Sequence, residues 1–150
     1  MSPSLLDVNV LISLLWPAHT SHGAVQSWFA RNARHGWATC PVTQAAFVRI
    51  VSNPAFSRDA VTPREAIKLL SANLEHRYHV FWAGDISFAD AVAPCRDRLV
   101  GHRQVTDAYL LGMAIHKEGR LATLDKGVLA LLAEDSPDRQ RVDIITSEFH

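Results

Sequence analysis

Cysteine is scarce in this chain. The 150 residues include two, Cys40 and Cys95, far apart and outside any Cys-x-x-Cys pair. A disulfide framework and a zinc-ribbon spacing are thereby excluded, and two buried thiols in a reducing compartment are expected. Net charge is missing too: 15 basic side chains balance 15 acidic ones, with histidine neutral. A chain without a basic excess lacks the footprint of a tight, non-specific nucleic-acid binder, although a local site for RNA or DNA is still allowed. Long apolar runs are absent. The first, Val8 to Leu15, is interrupted by Asn9 and Ser13 and ends at Pro17. It is too short to span a membrane and unlike a signal sequence, so a cytoplasmic protein with no membrane contact is expected. No Gly-x-Gly-x-x-Gly, P-loop, Gly-x-Ser-x-Gly or His-Glu-x-x-His motif occurs, which removes nucleotide-cofactor, serine-hydrolase and zincin readings.

What is present is a 48% hydrophobic chain of single-domain length, with no repeat, low-complexity tract or interdomain linker. One domain over residues 1–150 is expected. Ser4 to Val8 reads as a short buried strand, followed by an apolar stretch to Leu15. Apolar residues at helical spacing predict a helix from Ala18 to Arg34, stopped at His35-Gly36 with Gly36 as a left-handed cap. Trp37 to Cys40 reads as a strand, and a helix from about Thr43 ends before Asn53-Pro54. Thr62-Pro63-Arg64-Glu65 is a capping-box start for the next helix. His79 to Trp82 reads as a strand and Ser87 to Val92 as a short helix. Thr106 is expected to cap a helix through Lys117. A strand at Arg120–Leu124 then leads through Asp125-Lys126-Gly127 into a helix carrying Val128, Leu129, Leu131 and Leu132. The last strand is Val142 to Thr146. Apolar strands alternating with helices point to an α/β fold, with a parallel sheet covered on both faces.

Three aspartates share one address in that scheme. Asp7 and Asp125 follow the ends of the first and fourth strands, and Asp107 sits in the first turn of a helix starting on the same side. In open α/β sheets, ligands bind outside the carboxyl ends of the strands. Carboxylates gathered there repel one another, and a divalent cation relieves the repulsion. Mg²⁺ and Mn²⁺ prefer oxygen ligands and promote phosphodiester hydrolysis. Each aspartate also has a plain structural use: Asp7 as a helix cap, Asp107 at a helix dipole, Asp125 in a turn. Their shared address favours the site.

Four segments in order resemble a PIN domain, specifically the VapC-type toxin ribonucleases of type II toxin–antitoxin (VapBC) systems. They are Leu5-Leu6-Asp7-Val8-Asn9-Val10-Leu11-Ile12, Val42-Thr43-Gln44-Ala45-Ala46-Phe47-Val48-Arg49-Ile50, Val105-Thr106-Asp107-Ala108-Tyr109-Leu110-Leu111 and Leu121-Ala122-Thr123-Leu124-Asp125-Lys126-Gly127. The resemblance implies a PIN-like three-layer α/β/α sandwich around a parallel sheet of four to five strands. It implies a Mg²⁺ (or Mn²⁺) dependent endoribonuclease that acts on RNA as a homodimer and is inhibited by a VapB-type antitoxin. Asp7, Asp107 and Asp125 become the catalytic and metal-site acids, with Asn9 near them and Thr106 helping to orient them. One departure stands out. The family's second motif usually carries a glutamate, where this chain has Gln44 and, nearby, Ala46. An amide can hydrogen-bond a metal-bound water but adds no charge. Three carboxylates rather than four, and one firmly held ion, are therefore expected.

Arg49 and Arg103 are candidate RNA-backbone contacts, against the alternatives of covering apolar surface and solvating a loop. The eight histidines show no ligand spacing and read as structural or surface groups. The four tryptophans read as core or interface residues rather than base-stacking platforms. Asp90 and Asp143 are weaker candidates for a fourth acid. Two rival functions follow: a degenerate PIN-fold RNA- or protein-binding module, for which Gln44 speaks, and a haloacid-dehalogenase-like phosphatase. The latter wants Asp-x-Asp after the first strand, and Asp7-Val8-Asn9 lacks the second acid.

Overall fold

The structure, a computed structural model, describes residues 2–146. Five parallel strands form one sheet: β1 (Ser4–Leu6), β2 (Trp37–Thr39), β3 (His79–Phe81), β4 (Arg120–Thr123) and β5 (Val142–Ile144), in the spatial order β3-β2-β1-β4-β5. Six α-helices connect them among the described residues: α1 (Val8–Leu15), α2 (His22–Asn32), α3 (Pro41–Val51), α4 (Pro63–Leu74), α5 (Phe88–Val92) and α6 (Val105–His116). Side chains alternate across the sheet with period two. Leu5, Ala38 and Leu121 stand in register and pack with Val92, Leu110 and Leu111 of α5 and α6. Leu6, Trp37 and Ala122 point the other way, against Val10, Val25, Phe47 and Leu70 of α1 to α4. These two cores make the α/β/α sandwich expected from the sequence. Cys40 and Cys95 are both free and buried. No helix among the described residues is long and apolar enough to cross a membrane.

Several local expectations are corrected. The strands are not all buried on both faces: β3 is an edge, leaving Phe81 52% exposed. Helix α2 starts only at His22, because residues 17–21 form turns closed by hydrogen bonds from His19 N–H to Trp16 O and from His22 N–H to His19 O. Helix α3 starts earlier than expected, with Pro41 at its first position, where a missing N–H costs nothing. Gly36 takes φ 94° and ψ 141°, a positive-φ conformation outside the left-handed helical well. Thr106 is not the cap of α6. The Gln104 side chain accepts from Val100 and Gly101 N–H at 2.9 and 3.1 Å, so a preceding 3-10 turn runs into the helix, whose cap is Gln104. After β4 the chain makes a 3-10 helix, Lys126–Leu131, instead of an α-helix. Val128 and Leu131 are buried, and residues three apart align in that tighter helix. The last strand stops at Ile144. The capping box at Thr62 and Glu65 forms as expected, at 3.1 and 3.2 Å.

One close approach fixes how α5 lies on α6. A Cβ on Gly112 would fall 1.8 Å from the Ala91 carbonyl oxygen. Gly112→Ala is therefore expected to force the helices apart and cost about 1–3 kcal/mol in urea denaturation. Gly23→Ala in α2, with nothing within 4 Å of the new methyl, is expected to be neutral or to stabilise by about 0.5 kcal/mol. Equal midpoints for the two variants would contradict this packing.

Candidate active site

Parallel pairing of β1 with β4 sets Leu5 opposite Leu121. Two residues further on, the same register sets Asp7 beside Thr123. The ladder reaches that point, since Asp7 N–H donates to Ala122 O at 2.9 Å. The Thr123 hydroxyl donates to Asp7 Oδ2 at 2.6 Å, and Val8 N–H donates to Oδ1 at 2.7 Å, which makes Asp7 the N-cap of α1. Thr123 Oγ1 in turn accepts from Asp125 N–H at 3.1 Å. Asp7 and Thr123 are both buried. This chain of bonds lies between β1 and β4, where the strand order reverses direction, the position at which open α/β sheets bind ligands.

Charge from neighbouring carboxylates reaches both Asp107 and Asp7. Burial first, then the charges of Asp7 and Asp125, push Asp107 up to about 6. Asp7 is also raised, chiefly by burial and further by Asp125, against hydrogen bonds from Thr123 and Val8 that favour its charge. The only ion pairs among the described residues are Lys117–Asp85 and Arg141–Asp138, so none of the three has a cationic side chain in contact. Mutually repelling oxygen donors without a counter-charge suit a hard divalent cation. They are not drawn into a finished coordination shell: among the described residues, no group of three or more His, Cys, Asp or Glu side chains is arranged to hold a metal ion. Asp125 uses Oδ1 to accept from Gly127 N–H at 2.8 Å.

Asp7 and Asp107 line one crevice at the carboxyl edge of the sheet, together with Asn9, Thr106, Ala46 and Arg49. Asn9 Oδ1 also accepts weakly from Leu124 N–H at 3.4 Å. Arg49 is exposed and makes no ion pair with a described residue. Gln44 is not brought to the crevice; its amide donates to Thr39 Oγ1 at 3.0 Å, and Thr39 meets His79 Nε2 at 2.8 Å. Arg103 is exposed in the turn before α6, away from the crevice walls. Asp143 accepts from Trp28 Nε1 at 2.7 Å, a structural role, and Asp90 sits exposed in α5. Trp28, Trp37 and Trp82 are buried, as expected of core residues. Sequence reasoning missed Thr123 and His19. The signal for Thr123 is a hydroxyl inside an apolar strand, two residues before an acid. His19 lines the crevice from the turn after α1, and nothing in its spacing marks it.

The chain is 42% identical over 143 residues to Ribonuclease VapC38 of Mycobacterium tuberculosis (strain ATCC 25618 / H37Rv), covering 95% of this chain and 98% of that protein. It is 44% identical over 122 residues to Ribonuclease VapC39 of strain CDC 1551 / Oshkosh, covering 81% and 88%. It is 39% identical over 139 residues to Ribonuclease VapC44 of the same strain, covering 93% and 96%. No family model matches.

The upward shift at Asp107 has a stability consequence. Ionising this carboxyl costs more in the folded chain than in the unfolded one. The cost is absent below about pH 3.8, grows as pH rises, and is complete above about pH 6. Asp107→Asn is expected to stabilise the metal-free protein at pH 7 by about 1 kcal/mol, allowing for screening of a partly exposed group. The gain should fade toward pH 4, and a destabilised variant in thermal melts at pH 7 would contradict the repulsion. Thr123→Val removes the donor to Asp7 and is expected to cost about 1–3 kcal/mol at neutral pH; an unchanged melting temperature would show that the bond contributes nothing.

Proposed function

The chain belongs to the VapC family of PIN-domain ribonucleases, and on that premise we propose that it is a Mg²⁺- or Mn²⁺-dependent endoribonuclease acting as the toxin of a toxin–antitoxin pair. Its cognate VapB-type antitoxin restrains it, it works as a homodimer in the cytoplasm, and its substrate is RNA. The observation that carries this reading is the trio of carboxylates at the β1/β4 reversal, which repel one another and touch no cationic side chain among the described residues.

Asp7, Asp107 and Asp125 are the residues that would hold the ion. When bound, the metal supplies a water of lowered pKa and neutralises charge on the phosphate oxygens. The chain's own groups do the positioning. Val8 N–H and the Thr123 hydroxyl fix both oxygens of Asp7, and the Asp125 amide steadies Thr123. Asp107 binds a proton near neutrality, so protons compete with the ion for the site. Arg49 meets a phosphate of the RNA at the crevice, and Thr106 and Asn9 bracket the acids.

One observation favours a second reading, a PIN-fold binding module without turnover. Gln44 stands in the motif where the family usually has a glutamate, and it is tied to Thr39.

With Mg²⁺, the wild type is expected to cleave structured RNA at least about 100-fold faster than Asp107→Asn. Equal rates across divalent metals would overturn the nuclease reading in favour of the binding module. Calorimetry is expected to show Mg²⁺ affinity falling about tenfold per pH unit below pH 6 as Asp107 takes up its proton. Because Gln44 is tied to Thr39 and does not line the crevice, Gln44→Glu is expected to leave Mg²⁺ affinity unchanged; a clear tightening would place residue 44 in the site.

A further inference from the structure

His19 is the polar group of the crevice that the reading above leaves unused. It sits half-buried in the turn between α1 and α2 and lines the same walls as Asp7, Asp107 and Arg49. Its ring is held by its neighbours. Ser21 N–H lies 3.0 Å from Nδ1, and Ser13 Oγ lies 3.1 Å from the same nitrogen. A backbone N–H can only donate, so Nδ1 carries a lone pair and the neutral ring has its proton on Nε2. The next histidine takes the opposite tautomer. His22 Nδ1 lies 2.7 Å from the Ser13 carbonyl oxygen, which can only accept, so that nitrogen is the donor. Ser13, on the buried side of α1, anchors His22 through its carbonyl oxygen, while its hydroxyl donates to Asn9 O at 2.7 Å and only lies against His19, whose ring is held by Ser21 N–H. His19 Nε2–H makes no hydrogen bond to a described residue.

We propose that His19 is a substrate-binding residue whose Nε2–H donates to a phosphate oxygen of RNA lying along the crevice beside Arg49. This rests on the ribonuclease reading for the identity of the ligand. The chemistry suits the place. A crevice whose floor is acidic must hold a polyanion through donors elsewhere on its walls. A donor pre-set by its tautomer loses little freedom on binding. The competing account is that His19 only closes the turn through Nδ1.

Two substitutions separate these accounts. In His19→Asn, Oδ1 still accepts the N–H two residues on, as in an Asx turn, but nothing reaches the Nε2 position. In His19→Gln, an amide nitrogen reaches about that far and restores a donor. Binding of a short mixed-sequence single-stranded RNA is read by fluorescence anisotropy with the full chain in EDTA, alongside thermal melts. The proposal expects His19→Asn to melt like the wild type and bind about tenfold more weakly, with His19→Gln within about threefold of wild type. Wild-type affinity in His19→Asn overturns it, as does a glutamine variant no better than the asparagine one, or a wild type that binds no RNA. Because this readout needs neither metal nor turnover, it stands apart from the cleavage assay: a wild type that binds RNA through His19 but cuts none in Mg²⁺ sinks the nuclease reading alone.

Discussion

The parallel register of β1 on β4 puts Asp7 beside Thr123, and the rest of the site is arranged around that contact. Asp7 is buried, where an unpaired carboxylate would be costly. The Thr123 hydroxyl at 2.6 Å and the Val8 amide at 2.7 Å make it tolerable without neutralising it. A slip of one residue in this pairing would leave Asp7 and Thr123 on opposite faces of the sheet. The two cores on either side of the sheet therefore do more than hold the fold together. By demanding Leu5 and Leu121 on one face and Leu6 and Ala122 on the other, they lock the register that delivers the acids.

The same arrangement works against the stability of the metal-free chain. Asp107 enters from the first turn of α6 onto charge already present, and its carboxyl is pushed up to about 6. A structure selected for stability alone would place a lysine or arginine against such a group. Here the described ion pairs lie elsewhere, at Lys117–Asp85 and Arg141–Asp138. Conflict between local energetics and global fold is characteristic of functional sites, and a bound divalent cation would convert that conflict into binding energy. The sheet, the α5–α6 contact at Gly112 and the capped helices supply the rigidity against which it is held.

Much of this was legible in the sequence because it rests on period and polarity. Alternating apolar strands and helices gave the parallel sheet, and acids placed after strand ends gave Asp7 and Asp125 a common edge with Asp107. Long-range pairing hid the rest. Nothing local reveals that Thr123 meets Asp7, 116 residues away, or that β3 is an edge strand, since strand order is a property of the whole sheet. Cap positions failed for a similar reason. Thr106 looks like a helix start, but the Gln104 side chain reaches back to two amides and the cap lies two residues earlier, at Gln104. Gln44 looked like a site residue in its motif, and its amide instead meets a hydroxyl on β2, itself bonded to a histidine on β3.

On the function proposed above, Asp7, Asp107 and Asp125 share one cation. Anomalous scattering from a crystal grown with Mn²⁺ reports on that sharing. A single strong peak bonded to oxygens of these three side chains, with Asp125 released from Gly127 N–H, is the predicted result. Carboxylates left without a shared peak at saturating Mn²⁺, or manganese bound only elsewhere on the protein, would contradict it.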